Sequence, residues 1–313
     1  MVKQRNSFAA KRRRLAAFGV GALACGAAQW LVPTLARAAD GTPSPVEKVP
    51  RVVVLDWGLG AQILALGVAP VGMARPPWYR ALAGTPPMPD SVVDVGLLFQ
   101  PSFEVVKALR PDLIVITPAH EPLRENLARI APLFIAPAAK RHEDGYALAC
   151  RRALALGEAL GRPTRAAQLI AQTDASLVQY RERIAQHNAA QRPVYLISPL
   201  DTRLSAVFGR ESVFGGTLGA LGLTNAWQRP SDGEGMAQVD YTQLGGSPTA
   251  RAMLIGTSPT VRTLLDDSPL WQALPFVRGR RVSALPMMLP TGGTPTALRL
   301  AEVLTQSLTG GAA

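Results

Sequence analysis

The sequence predicts an α/β protein of two Rossmann-like lobes with mainly parallel sheets, joined by one long rigid helix. Three observations carry this. Short β-branched runs alternate with helical stretches through the first 135 or so residues. A breaker-free helical stretch, "PTRAAQLIAQTDASLVQYRERIAQHN", then begins at Pro163. After it the strand–helix rhythm resumes to the end of the chain.

Taken in order, "RVVVLDW" reads as a buried strand ending at Trp57, because Val on consecutive positions suits a strand covered on both faces. "GAQILALGV" is a short helix closed by Gly67, and "APVGMA" a second strand. The Pro-rich "RPPWYRALAGTPPMPD" reads as an irregular loop. In "VVDVGLLFQPSFEVVKALRPDLIV", Ser102 is placed to cap a helix whose first turn holds Glu104, and Pro111 ends it. Leu97, Leu98 and Phe99 are an odd apolar group for a loop between strand and helix. "DLIVIT" is the next strand and "EPLRENLARI" the next helix. "GYALACRRALALGEALG" is a helix with Cys150 at an apolar position, expected as a structural thiol. The long stretch from Pro163 would span about 39 Å at ~1.5 Å per residue. Strands are then expected in "RPVYLISPL", "RLSAVFG", "ARAMLIG" and "GRRVSAL", with helices in "SVFGGTLGALGL", "SPLWQALPFV" and "TALRLAEVLTQSL". The organisation expected is 1–38 export signal, 39–162 N-terminal lobe, 163–190 linking helix and 191–313 C-terminal lobe.

The 313 residues are 48% hydrophobic and 18% charged, so a packed core is expected. The net charge of +11 is misleading. Lys3, Arg5, Lys11, Arg12, Arg13, Arg14 and Arg37 precede any acid, and without those seven the balance is 26 basic against 22 acidic residues. No basic stripe remains for nucleic acid. The basic run "KRRRLAAF", the apolar "GVGALACGAAQWLV" and the A-x-A site ending at Ala38 read as a cleaved, twin-arginine-like export signal. A membrane anchor and a lipidated Cys25 are the competing readings. The mature chain is expected in the periplasm, as a monomer without a disulfide.

Catalytic motifs are missing. There is no G-x-S-x-G, H-E-x-x-H, P-loop or G-x-G-x-x-G after a strand. Three scattered His residues (His120, His142, His187) form no metal-ligand pattern. No metal, cofactor or catalytic residue is expected, although a triad through His120 stays open. The aromatics Trp57, Trp78, Tyr79 and Trp227 fall at strand ends and loops, where open α/β sheets place their ligand crevice. A ligand cleft between the lobes is therefore expected.

Together "RVVVLDWGLGAQILALGVAPVGMA", "PDSVVDVGLLFQPSFEVVKALRPDLIV", "LARIAP", "LTNAW" and "SPLWQALPFVRGRRV" resemble the periplasmic binding proteins for ferric hydroxamate siderophores, over about residues 50–305. The resemblance implies two α/β lobes bridged by one helix, no enzymatic activity, a ferric siderophore as ligand and an ABC importer permease as partner. Contact with the inner membrane would be peripheral, through that permease. It also implies site residues. Trp57 and Trp227 match ligand-lining tryptophans, and Trp78 lies near another. Leu98 stands where the family has an Arg that donates to hydroxamate oxygens. His120 takes the place of a Tyr, and Leu289 that of an aromatic near the last strand. Arg75 and Arg80, flanking Trp78 and Tyr79, are the candidate replacement cations, with Arg203 and Arg210 of the second lobe behind them. Glu104 and Asp240 are the candidate permease-docking acids. A siderophore outside the ferrichrome-like set, still of hydroxamate type, is the expected ligand. A haem or cobalamin binder of the same architecture, using His120, Tyr79 and Met287–Met288, is the alternative, with an exported enzyme behind it.

Overall fold

The computed structural model describes residues 49–310. The expected export signal, its cleavage site at Ala38 and Cys25 lie outside the described residues.

The valine run forms β1 (Val52–Val54). Its side chains divide between two cores. Val52 and Val54 pack with Leu59, Ile63, Met73 and Tyr79. Val53 packs with Leu55, Val95, Val106, Ile114 and Ile116 on the opposite face. Double coverage explains why no polar residue interrupts the run. β2 (Gly72–Met73), β3 (Val93–Asp94), β6 (Leu113–Ile116) and β7 (Leu133–Ile135) complete a parallel sheet of order β3-β2-β1-β6-β7. The apolar loop residues belong to a small antiparallel hairpin, β4 (Gly96–Leu97) with β5 (Gln100–Pro101).

Helices follow the strands. Asp56 caps α1 (Trp57–Ala65), accepting from Leu59 N at 2.8 Å, so Trp57 opens a helix and does not end a strand. The Pro-rich segment is a helix, α2 (Pro76–Leu82). Pro76 and Pro77 sit at its first positions, where a missing N–H costs nothing and a fixed φ suits the first turn. Ser102 caps α3 (Phe103–Ala108) through Val105 N. "EPLRENLARI" divides into a 3-10 turn (Pro118–Leu123) containing Pro122 and a short α4 (Arg124–Ala128). α5 (Gly145–Ala159) precedes the linking helix α6 (Pro163–Gln186). His187 ends α6, with Nδ1 2.8 Å from the Arg183 carbonyl.

The second lobe contains β8 (Val194–Pro199), β9 (Leu204–Phe208), α7 (Val213–Ala220), β10 (Met236–Asp240), β11 (Arg251–Ile255), α8 (Pro259–Asp266), α9 (Pro269–Gln272), α10 (Pro275–Arg278), β12 (Val282–Leu285) and α11 (Gly293–Leu308). Its sheet, β10-β9-β8-β11-β12, is mixed: β9 runs antiparallel to both neighbours. The connection 200–203 is too short for a parallel crossover, which needs a dozen or more residues.

The two lobes form one compact unit. α6 joins them in the chain, with α5 and α11 packed beside it. α11 also touches α1 of the first lobe, and α5 touches α7 of the second. Two glycines permit this closeness. A Cβ on Gly58 would lie 2.2 Å from the Thr291 carbonyl oxygen, and one on Gly145 2.0 Å from the Ser212 carbonyl carbon. Among the described residues no helix is long and apolar enough to cross a membrane.

Candidate functional site

Residues following β1, β6 and β7 converge on one cavity of about 470 Å³. Asp56 comes from β1, Thr117 and His120 from β6, and Ala138 and Ala139 from β7. This is the C-terminal edge of the first sheet, where an open parallel sheet leaves a crevice. α5 supplies Arg152, and the second lobe closes the other wall with Asp232, Gly233, Glu234 and Thr291. A second space of about 470 Å³ adjoins it and shares Ala139, Asp232 and Gly233. Lys140, Arg141 and Arg229 line that space, opposed by Glu211 and Asp232.

Arg152 is the buried cation of the cleft. It lies on the apolar stripe of α5 with Leu148, Ala149 and Leu156, its side chain 7% exposed. Nε donates to the Pro137 carbonyl at 3.0 Å, and the two terminal nitrogens donate to the Glu234 carboxylate at 3.2 and 2.9 Å. The fork therefore ties the first lobe to a loop of the second. Burial pushes the Asp56 carboxyl above its ordinary range. The Leu59 hydrogen bond and the positive field of Arg152 oppose that rise.

His120 is 1% exposed and stacks on Phe99, ring centroids 4.9 Å apart. Its Nδ1 lies 2.8 Å from Thr117 Oγ1 and accepts from Thr117 N at 3.3 Å. A neutral imidazole that accepts at Nδ1 carries its proton on Nε2. That Nε2 is buried without a partner, in a residue that lines the cavity. Burying a donor unpaired is costly, so the group is a ready donor to an oxygen ligand.

Trp57, next in the chain to the cavity-lining Asp56, forms a tilted pair with Trp78, centroids 6.1 Å apart, although neither ring lines the cavity itself. Trp57 Nε1 donates to the Ala74 carbonyl at 2.7 Å, which fixes its ring, while Trp78 is half-exposed. The Arg75 guanidinium lies 5.0 Å from the Trp78 ring centre. Three expected residues thus make one cationic and aromatic shelf.

Four other expected ligand residues lie elsewhere. Tyr79 is fully buried in the first-lobe core and donates to the Pro86 carbonyl at 2.8 Å, because α2 turns its face inward. Leu98 packs against the core on the far face of the first sheet, and its hairpin neighbour Phe99 reaches the cavity instead. Leu289 is buried in the first-lobe core. Trp227 is buried among Tyr195, Tyr241 and Trp271 in the second lobe, its indole nitrogen without a partner. Of the alternative haem ligands, Met288 is buried in the second-lobe core. The thiol of Cys150, half-buried on α5, is pushed up to about 11 by burial. Asp56, Phe99, Arg152 and Glu234 were absent from the expected site. For Arg152 the signal was present, a cation at helical spacing on an otherwise apolar stripe.

Glu104 is exposed at the start of α3. Hydrogen bonds from its own N–H and from Ser102 (3.0 Å) hold its carboxyl below the usual range. Asp240 caps the 3-10 turn after β10 through Thr242 N and Oγ1, both at 2.9 Å, with Arg203 at 3.8 Å.

The wall segment 138–140 is clamped by one ion pair. Arg151 donates to both oxygens of Glu143, at 2.9 and 2.6 Å, and to the Ala138 carbonyl at 2.8 Å. The Arg151 hydrogen bonds pull the Glu143 carboxyl down to about 2, against a smaller rise from burial. A depressed acid stabilises the folded state above its unfolded pKa and loses that contribution as pH falls through the folded one. Glu143→Gln is therefore less stable than wild type at pH 7, and denaturant titrations of the two converge between about pH 4 and pH 2. A difference that persists unchanged at pH 2 refutes the clamp.

A family model described as "Periplasmic binding protein" matches residues 52–288. The iron(3+)-hydroxamate-binding protein FhuD of Escherichia coli is 31% identical over 265 residues, 83% of this chain and 87% of that protein. The Fe(3+) dicitrate-binding periplasmic protein FecB of E. coli is 27% identical over 247 residues, 77% of this chain and 78% of its own. Among solved structures, the siderophore-binding protein FhuD of Vibrio cholerae with bound Fe3+–Desferal superposes with a TM-score of 0.78 at 26% identity. It covers 84% of this chain and 99% of that one.

Proposed function

The chain belongs to the periplasmic binding protein family, and from that premise we propose that it captures a ferric siderophore of hydroxamate type in the periplasm and delivers it to an ABC importer permease. The observation that carries the reading is the buried, unpartnered His120 Nε2 in a cavity closed by both lobes. A ferric hydroxamate presents a shell of partly negative oxygens around its metal. Such a shell needs donors and apolar walls, and no transfer of charge or bonds. His120 and Phe99 supply one donor and one ring; the Trp57–Trp78 pair supplies a shelf for the chelate's hydrocarbon arms.

Arg152 takes the place of the family cation missing at Leu98. It is the guanidinium that lines the cavity, whereas Arg75 lies over the Trp78 ring. Glu234, on the opposite wall, occupies its donors in the free protein, and chelate oxygens compete for them. Glu104 and Asp240 are carboxylates for two permease contacts, one on each lobe, and the mature protein acts as a monomer.

Tryptophan-fluorescence titration against ferric hydroxamates, haemin and cobalamin tests the reading. Quenching by a ferric hydroxamate supports it. A Soret band on haemin addition with no response to any ferric chelate replaces it with the haem reading. Trp78→Ala gives a sharper result. The side chain is 51% exposed, so its loss leaves the melting temperature close to wild type. Aromatic contacts contribute about 0.5–1.5 kcal/mol each, so affinity for the ferric chelate falls about two- to tenfold. Unchanged affinity would place the shelf outside the ligand contact.

A further inference from the structure

The second lobe holds a pocket that shares no residue with the cleft. It opens where three neighbouring strands begin: Arg192 lies just before β8, Arg251 opens β11, and Arg281 immediately precedes β12. The pocket has a volume of about 310 Å³, and Arg280, Gly279, Val282 and Ser283 complete its wall. Four arginines and a serine line one space, and no carboxylate-bearing residue does. An adjoining pocket shares Arg280 and contains Asp266, but Arg262 lies 3.4 Å from that acid.

Two of the arginines are built in. Arg281 donates from Nε to the Ala250 carbonyl at 2.9 Å, and from Nη2 to the carbonyls of Pro248 and Pro275 at 2.7 and 2.9 Å. Its charge is therefore fixed at the pocket wall. Arg251 is half-buried, and its Nε is buried without a partner. Burial first, then the fields of Arg192 and Arg281, pushes its pKa below the ordinary arginine range. Arg280 holds a left-handed backbone conformation, φ 51°, that ordinarily falls to glycine. Like charges gathered in a concavity repel one another, and the carbonyls that hold Arg281 are dipoles, not the anion that would neutralise the group.

We propose that this pocket is an anion site for a phosphate-class group, a tetrahedral dianion that several guanidinium forks grip at once. The group is either a soluble phosphate or the headgroup of an anionic lipid. It lies apart from the cleft, so its occupancy does not depend on the siderophore.

The test uses the mature chain and inorganic phosphate, compared with sodium chloride at equal ionic strength, by thermal shift and calorimetry. Phosphate raises the melting temperature beyond chloride, and Arg251→Gln weakens phosphate binding at least tenfold while ferric-chelate affinity stays at the wild-type value. Arg192 is exposed, so Arg192→Gln folds regardless. Without phosphate its melting temperature equals or exceeds wild type, because one repulsion is gone, and its phosphate response shrinks. Cosedimentation with phosphatidylglycerol vesicles, against phosphatidylcholine alone, separates the sources. Vesicle binding lost in Arg192→Gln assigns the lipid headgroup, and a response to free phosphate alone assigns the soluble anion. Equal phosphate responses in wild type and Arg192→Gln, or no response to phosphate or vesicles, overturns the site.

Discussion

Glu234→Ala lowers stability by about 2–3 kcal/mol, whereas Arg152→Met costs about 1 kcal/mol or less. The inequality follows from where each partner would be left. Arg152 is 7% exposed and Glu234 48% exposed. Remove the carboxylate and a buried guanidinium keeps a single carbonyl partner, Pro137, through Nε. Its two terminal nitrogens lose an anion and, at 7% exposure, regain only partial hydration from the cavity. Remove the guanidinium instead, and the half-exposed carboxylate turns to solvent, while a methionine keeps the apolar contacts of the arginine stem with Leu148 and Leu156 on the α5 stripe. The positive field of Arg152 on Asp56 also disappears, and that carboxyl, already raised by burial, shifts further toward its neutral form. Urea denaturation of the two variants decides the matter. Equal losses, or a larger loss for Arg152→Met, would mean that Glu234 is the more deeply seated partner and that the fork is not the tie between the lobes.

The sequence made the scaffold legible because its rules are local. Three consecutive valines without a polar interruption require cover on both faces, and Val52–Val54 have it. Ser102 caps the helix it was expected to cap. The long helix begins at the expected Pro163. The family resemblance was also legible, since its motifs are contiguous stretches. Proline misled once, in "RPPWYR", where two prolines at the first helical positions begin a helix that an interior proline would have broken. The site was harder to read because its members are gathered by tertiary contact. Tyr79 and Trp227 sit near strand ends like Trp57 and Trp78, but an aromatic at such a place can face the crevice or turn into the core. Only the orientation of α2 and the packing of the second lobe decide between these. Leu98 and Phe99 are the two turn residues of the β4–β5 hairpin, and which of them meets the core is set by how that turn packs, which the sequence does not show. Glu234 gives no local sign of its pairing with Arg152, because that partner is 82 positions away.

The loss that touches function most is at the imidazole. His120→Ala reduces affinity for a ferric hydroxamate about ten- to a hundredfold, since a hydrogen bond to a charged oxygen contributes about 1.5–3 kcal/mol. The same change costs stability, because it also deletes the stack on Phe99 and the bond to Thr117. A drop in affinity alone would thus not separate donor from scaffold. His120→Gln does. Its amide keeps an N–H donor of similar reach but no ring, so it recovers much of the affinity while the stack remains lost. Phe99→Ala is the converse variant, keeping the donor and deleting the ring beneath it. If Nε2 is what grips the chelate, affinity ranks wild type, then Gln, then Ala at position 120, and this order does not follow the order of melting temperatures. Should His120→Gln bind as poorly as His120→Ala, the stacked ring and not the proton on Nε2 is what the ligand needs. Should His120→Ala bind as tightly as wild type, the ligand does not reach this cavity, and the donor buried there has no part in recognition.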